Sequence, residues 1–311
     1  MNLRKFFIVL GAILVFISLG ILIGPFLVPI PPLEEVTSQY ELADLDSQFV
    51  KIGDVDIHNK TRGQGEPVFV LLHGFGANLY SWNAVIDDFG KLGTVIAYDR
   101  VAFGLSERPM EWLGENPYSA QAAVATLFGI LDHFGVDRAI LVGNSAGGTV
   151  SMEFYLQYPQ RVEALILVSP AVYGGGGTPS WMRPILHTPQ MQRLGPLLVR
   201  RIQRQGQQLI ELAWHDPSKI DSQTIDLYRK PLMAENWDKA LWYFTTASQP
   251  NDLPERLEEF RLPALIITGD DDRIVPTDSS IRLAGELPGA SLVILENAGH
   301  LPHEEVPSEF M

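Results

Sequence analysis

The sequence predicts an α/β fold: a mostly parallel sheet flanked by helices, with a helical cap inserted late in the chain and one transmembrane helix at the N-terminus. Three observations carry this. Short apolar runs recur between stretches of helical periodicity, about ninety residues between Val168 and Ala264 break that alternation, and the run from Phe6 to Val28 holds no charge. Apolar residues make up 46% of the 311 and charged residues 19%, the composition of a chain with a sizeable core rather than a disordered one.

The first element is the apolar run itself. As a helix, residues 6–28 would reach roughly 35 Å, enough to cross a ~30 Å hydrocarbon core with some tilt. A cleaved signal peptide is the alternative, but its apolar region is normally shorter and ends in small residues, whereas this run ends Leu-Val-Pro-Ile-Pro-Pro. Arg4 and Lys5 precede the run, while Pro29 to Val50 carries Glu34, Glu35, Glu41, Asp44 and Asp46 and no Lys or Arg. The positive-inside rule then expects a cytoplasmic N-terminus and a globular part outside the cytoplasm. Residues 1–30 are read as the anchor and 31–47 as a linker, with Pro29, Pro31 and Pro32 expected to make it a stiff extended spacer.

From Gln48 to Lys60, Phe49, Ile52, Val55 and Ile57 alternate around Gly53 and predict an antiparallel hairpin at a sheet edge. Val68 to Leu72, Thr94 to Tyr98, Ala139 to Val142, Ala164 to Val168, Ala264 to Thr268 and Leu292 to Leu295 are short apolar runs of the kind buried on both faces of a parallel sheet. Ser119 to Phe134 and Ala146 to Tyr158 show helical spacing and end near Gly135 and Pro159, which predicts βαβ crossovers. Residues 48–170 and 261–311 are thus two parts of one core, with 171–260 a helical cap. The cap opens on Gly174 to Gly177, a hinge or a solvated loop. Its aromatic residues, Trp181, Trp214, Trp237, Trp242, Tyr243 and Phe244, are expected mostly in the cap's own core, with some faces lining a pocket.

Lys and Arg total 23 against 37 Asp and Glu, a net charge of −14 that repels phosphate backbones and argues against nucleic acid as a partner. With no cysteine, disulfides, thiolate zinc sites and cysteine nucleophiles are excluded.

Gly143-Asn144-Ser145-Ala146-Gly147 lies between an apolar strand and a helix, the context in which G-x-S-x-G presents a nucleophilic serine. The turn is tight, so side chains at 143 or 147 would collide with backbone and the serine takes unfavourable angles. His73-Gly74-Phe75-Gly76 follows the strand Val68 to Leu72 and offers N–H groups to an anionic oxygen.

Together these motifs resemble the α/β-hydrolase family over roughly residues 48–305, and in particular its cap-bearing branch of esterases, epoxide hydrolases, dehalogenases and carbon–carbon hydrolases. Asp99 to Ser106 resembles the family's D-x-x-G-x-G-x-S loop, with Ala102 where glycine is usual. The resemblance implies an acid on the loop after the strand Ala264 to Thr268, where Asp272 matches G-x-x-D-x-x-x-P and Asp270 and Asp271 are read as solvated or loop-capping. It implies a base after the last strand, where Gly299-His300 stands. His303 is a possible decoy, His73 belongs to the oxyanion loop, and His58, His133, His187 and His215 are expected at the surface or in packing, with Glu304 bracing the His300 loop. A closing helix beyond His300 is also usual, and this sequence reaches only Met311, so it is either truncated or dispenses with that helix.

The expected chemistry is acyl transfer by Ser145, His300 and Asp272, with the backbone N–H groups of Phe75 and Ala146 as oxyanion donors and neither metal nor organic cofactor. A serine at 145 disfavours the epoxide hydrolase and dehalogenase activities, which use a carboxylate. The G-N-S-x-G-G form resembles carbon–carbon hydrolases, but their H-G-x-G-P-G loop reads H-G-F-G-A-N here, so ester hydrolysis of an apolar small molecule is expected first. Carbon–carbon hydrolysis, perhydrolase or acyltransferase chemistry on the same triad, and a non-catalytic binding protein are the alternatives.

Overall fold

The computed structural model describes residues 3–173 and 177–311, and of residues 202–205 the backbone alone. Eight strands form one sheet: β1 (Gln48–Ile52), β2 (Val55–Arg62), β3 (Val68–Leu72), β4 (Thr94–Tyr98), β5 (Ala139–Asn144), β6 (Val162–Val168), β7 (Ala264–Gly269) and β8 (Ala290–Leu295). Their order is β1-β2-β4-β3-β5-β6-β7-β8. β1 pairs antiparallel with β2 and β2 with β4, and every other pairing is parallel. The predicted hairpin is therefore the sheet's antiparallel edge.

β3, all of whose residues are buried, has β4 on one side and β5 on the other. The strand order reverses at this point, and in open α/β sheets the crevice beyond the carboxyl ends of such strands is where ligands bind. The helix Ala120–His133 begins where Ser119 accepts the Ala122 N–H, and it buries Val124, Leu127, Ile130 and Leu131. Each such side chain contributes roughly 1.5–3 kcal/mol of burial.

One expectation about the strands needs correcting. Leu292 to Leu295 was expected to be buried on both faces, yet Val293 and Ile294 are exposed. The reason is position: β8 pairs only with β7 and forms the far edge of the sheet.

Among the described residues, helices and turns fill the interval between β6 and β7, chiefly the helices Pro189–Ala213, Ser222–Arg229 and Trp237–Ala247. The first starts at Thr188, which accepts the Met191 N–H, and the second at Asp221, which accepts that of Thr224. Val199, Trp237 and Trp242 form the centre of this region's own core. The glycine run read as a hinge or a loop lies, except for Gly177, outside the described residues.

Instead of standing off as the stiff extended spacer expected of it, the linker packs against the cap. Leu33 and Val36 pack into the core around Trp237 and Trp242, and Thr37 pairs with the chain at Ala234 through Thr37 N–H to Met233 O (2.8 Å) and Glu235 N–H to Thr37 O (3.1 Å). Asp44 binds Lys60 of β2 (2.8 Å) and Lys230 of the cap, so one carboxylate ties core, cap and linker together. Burial works against its charge, but the two ammonium groups hold it well below the usual carboxylate range. N-terminal to the linker, Leu3–Leu27 is a single 25-residue helix, long and apolar enough to cross a membrane and with no buried residue.

Candidate active site

β5 ends at Asn144 and the helix Ala146–Gln157 begins one residue later, with Ser145 at the junction at φ 52°, ψ −117°. A non-glycine residue rarely adopts this conformation, at a cost of order 1–3 kcal/mol. It is held there by Ser145 N–H to Val168 O (2.9 Å) and by the N–H groups of Gly148 (3.0 Å) and Ala171 (3.2 Å) on its carbonyl. A Cβ on Gly147 would stand 2.2 Å from Leu72 O, and one on Gly143 would stand 2.6 Å from Gly147 C. The turn closes only with glycine at both positions. Ala146 is the first residue of its helix, where N–H groups have no intrahelical acceptor and the helix dipole favours negative charge.

The loop after β3 passes directly over the serine: a Cβ on Gly74 would be 3.3 Å from Ser145 Cβ. His73 is fully buried and its Nε2 accepts the Arg100 N–H (3.0 Å), which leaves Nδ1–H to donate to Gly74 O (2.8 Å). Burial, and secondarily the Arg100 charge, push His73 down to about 3, so the ring is neutral. Arg100 Nη2 donates to the same carbonyl (3.1 Å). Because a trans peptide holds its C=O and N–H in opposite directions, fixing Gly74 O fixes the direction of the Phe75 N–H.

Asp272 follows β7 and accepts the N–H groups of Ile274 (2.9 Å) and Val275 (2.8 Å) on Oδ1, leaving Oδ2 for His300 Nδ1 (2.8 Å). Ser145, Asp272 and His300 are each less than a tenth exposed. The neighbouring acids behave otherwise: Asp270 accepts the Ala298 N–H (3.2 Å), and Asp271 pairs with Arg273 and with His215 (2.9 Å). His303 is buried, stacked on Trp82 with ring centroids 4.2 Å apart and bonded to Ser81 (3.0 Å), and burial pushes it down to about 3. His58 is buried against Asp99, and His133 and His187 lie at the surface.

Three contributors escaped the sequence reading. Asn144 Nδ2 donates to both Val168 O and His300 O (3.2 Å each), tying the serine turn to the histidine loop. Its place inside the G-N-S motif was the available signal. Arg100 is the second. The third is Glu305, which accepts the N–H groups of Gly299 (2.8 Å), His215 (2.9 Å) and Asp216 (2.7 Å). The brace of this loop is therefore Glu305, while Glu304 takes the hydroxyls of Ser81 and Tyr228 (2.6 Å). The cap also reaches the site, since Ala213 O accepts the His300 N–H (2.7 Å). Phe244 meets Phe75 (5.9 Å between centroids) and Phe103 (4.9 Å), an aromatic wall beside the oxyanion loop, while Trp214, Trp237 and Trp242 are buried and Trp181 is exposed.

Known proteins share this architecture. Residues 67–307 match the model of the alpha/beta hydrolase fold. The uncharacterized hydrolase YugF of Bacillus subtilis is 32% identical over 78% of this chain and 86% of its own length. A 2-hydroxy-6-oxononadienedioate/2-hydroxy-6-oxononatrienedioate hydrolase of Burkholderia vietnamiensis is 30% identical over 89% and 94%. Among solved structures, Est816, an N-acyl homoserine lactone degrading enzyme, superposes with a TM-score of 0.64 at 27% identity, over 85% of this chain and 97% of its own. A serine on a strained strand-to-helix turn, beneath a glycine loop and tied through Asn144 to the loop of a buried carboxylate–imidazole pair, agrees with those matches: the chain belongs to the alpha/beta hydrolase fold family.

Proposed function

We propose that the protein is a serine hydrolase in which Ser145 attacks a substrate carbonyl, His300 takes its proton, and Asp272 orients the imidazole and stabilises its charged form. What supports this is that the loop carrying the Asp272–His300 pair is tied through Asn144 to the turn that strains Ser145. The N–H groups of Phe75 and Ala146 hold the oxyanion, each donor contributing roughly 2.7–4 kcal/mol in comparable sites.

For the bond cleaved, the names of relatives favour carbon–carbon hydrolysis over the ester first expected, since several at about 30% identity hydrolyse 2-hydroxy-6-oxo-dienoates. In that reading the substrate first ketonises, the 2-hydroxyl proton moving to the carbon beside the 6-oxo group, and Oγ then adds to the 6-oxo carbon. The bond between those two carbons breaks, its electron pair passes through the neighbouring double bond to the 2-oxo oxygen, which is protonated to give the 2-hydroxydienoate, and water releases the acyl group from Oγ. Ester hydrolysis is the second reading, favoured by Ala77 in place of proline in the oxyanion loop and by the likeness to the lactone-degrading enzyme.

A fluorophosphonate probe should label the wild type and not Ser145→Ala; equal labelling of both would sink the nucleophile assignment. A higher kcat/KM on 2-hydroxy-6-oxo-2,4-heptadienoate than on p-nitrophenyl esters is expected, and the reverse order hands the function to the ester reading.

We propose further that Leu3–Leu27 is an uncleaved anchor, with Arg4 and Lys5 on the cytoplasmic side and the hydrolase domain beyond the membrane, because its length and apolarity suit a span and its charge asymmetry orients it. Carbonate-resistant membrane retention together with protease accessibility from outside tests both halves.

A further inference from the structure

We infer that the first part of the cap, from Trp181 to Arg201, is a second membrane-docking surface that lies on an anionic lipid face beside the anchor. This rests on the reading of Leu3–Leu27 as an anchor. The first observation is that the two are joined. Gln190 Nε2 donates to Leu22 O (3.2 Å), and Arg193 donates from Nε to Pro25 O (3.2 Å) and from Nη2 to Val28 O (3.1 Å). The carbonyls at the C-terminal end of a spanning helix lie at the lipid–water boundary, and a guanidinium there is favoured by the helix dipole. From Leu22 to its end at Leu27 the helix rises roughly 8 Å, about the depth of a headgroup layer. The start of the cap helix Pro189–Ala213 is thereby fixed at headgroup depth.

The surface presented at that depth has lipid-facing chemistry. Trp181 is 70% exposed, and Ile185 and Leu198 are about half exposed. An exposed tryptophan beside aliphatic side chains is what an interfacial segment carries. Charge gives the independent argument. In a chain of net charge −14, no Asp or Glu occurs between Glu163 and Glu211, whereas Arg183, Arg193, Arg200, Arg201 and Arg204 do. Arg193 is spent on the anchor and Arg200 on Asp238 (2.8 Å), while Arg201 is exposed. Such a segment is attracted to anionic headgroups while the acidic remainder of the protein is repelled.

The same helix ends at Ala213, whose carbonyl holds the His300 N–H, so the docked surface and the candidate active site share one helix of roughly 37 Å. A substrate that partitions into the lipid would then meet the cap before it meets water.

Because the chain has no cysteine, single cysteines report cleanly. Full-length Trp181→Cys, Ile17→Cys and Leu92→Cys, each carrying an environment-sensitive fluorophore, are reconstituted in phosphatidylcholine vesicles with or without phosphatidylglycerol and exposed to spin-labelled lipids. Leu92 ends a helix at the opposite end of the sheet from the cap and serves as the aqueous control. The expected result is deep quenching at Ile17, headgroup-level quenching at Trp181 that at least doubles with the anionic lipid and falls by at least half with Arg201→Glu, and none at Leu92. Quenching at Ile17 but not at Trp181 overturns the docking surface and leaves the anchor standing. No quenching at Ile17 overturns the anchor and this inference with it. Quenching at Trp181 that ignores lipid charge overturns the anionic assignment.

Discussion

Among the described residues, two regions hold a buried His–Asp pair with a serine on an adjoining segment, and only one of those serines is strained at a helix N-terminus. At the carboxyl end of the sheet stand Asp272 and His300 (2.8 Å), their loop tied to the Ser145 turn by Asn144. At its antiparallel edge stand Asp99 and His58 (2.7 Å), with Ser47 Oγ 2.7 Å from His58 Nε2. Both aspartates accept two backbone N–H groups, those of Leu79 and Leu105 (2.7 Å each) in the case of Asp99. The difference lies around the serine. Ser145 is strained to positive φ at a helix N-terminus beneath a glycine loop, whereas Ser47 sits in a turn where its Oγ accepts the Asp44 N–H (3.1 Å). Three residue types in hydrogen-bonding order are thus insufficient. A serine held at the start of a helix, and N–H donors for the developing oxyanion, must come with them.

The sharpest test of the comparison substitutes both serines. Ser145→Ala should lower kcat by on the order of 10⁴–10⁶-fold with the fold intact, as loss of a triad serine does elsewhere. Ser47→Ala should leave kcat within about threefold of wild type. A large activity loss from Ser47→Ala at unchanged melting temperature would break the distinction.

The second test moves to the histidine. Burial opposes ionisation of Asp99, but the His58 hydrogen bond and the Leu105 N–H hold it below the usual carboxylate range. His58→Phe leaves that carboxylate buried without its side-chain partner, a change that costs about 3–5 kcal/mol when a buried pair is broken. Urea melts should show that loss, while fluorophosphonate labelling of the folded fraction persists. If the variant melts normally yet fails to label, the edge pair belongs to the chemistry.

The same contrast explains what was legible in the sequence. Ser145, Asp272 and His300 stand just beyond β5, β7 and β8, where local motifs and strand ends are enough to nominate them, and Phe75 and Ala146 come with the motifs. The binding of Glu305 to Gly299 and to the cap residues His215 and Asp216 has no local signature, because it depends on how the cap folds back. The linker was misjudged for a similar reason: prolines do favour extended backbone, but Thr37 meets Met233 nearly two hundred residues later. Exposure of Val293 and Ile294 follows from the place of β8 at the edge, which apolar composition does not encode.

A third prediction concerns the loop beyond His300, where burial sets how Glu304 ionises. Burial pushes Glu304 up to about 7, against the opposing effect of the Ser81 and Tyr228 hydroxyls. An unfolded glutamate ionises near 4.5, so between these values the folded chain keeps a proton that the unfolded chain has released. Stability from this group therefore falls as pH rises from about 4.5 to 7 and is flat above, with a total loss on the order of 3 kcal/mol. Glu304→Gln keeps an acceptor for the hydroxyls without the charge. It should match the wild type in melts near pH 4.5 and exceed it at pH 8; a difference of constant size across that range would show that Glu304 ionises normally.

The smallest expected effect lies in the loop that Asp99 anchors. Ala102 has φ 81°, a region in which an L side chain crowds its own backbone, at the position where the resembling loops carry glycine. Relief of that strain in the folded state, roughly 1–2 kcal/mol, competes with the greater freedom glycine gives the unfolded chain, roughly 0.4–1 kcal/mol. The strain term is the larger, so Ala102→Gly should stabilise the protein by up to about 1 kcal/mol in urea melts with kcat unchanged. A destabilised variant would mean that the buried Ala102 methyl contributes more by packing than its backbone loses in strain. The loop at the edge pair would then be held by contacts, as the active-site turn at Ser145 is held by hydrogen bonds.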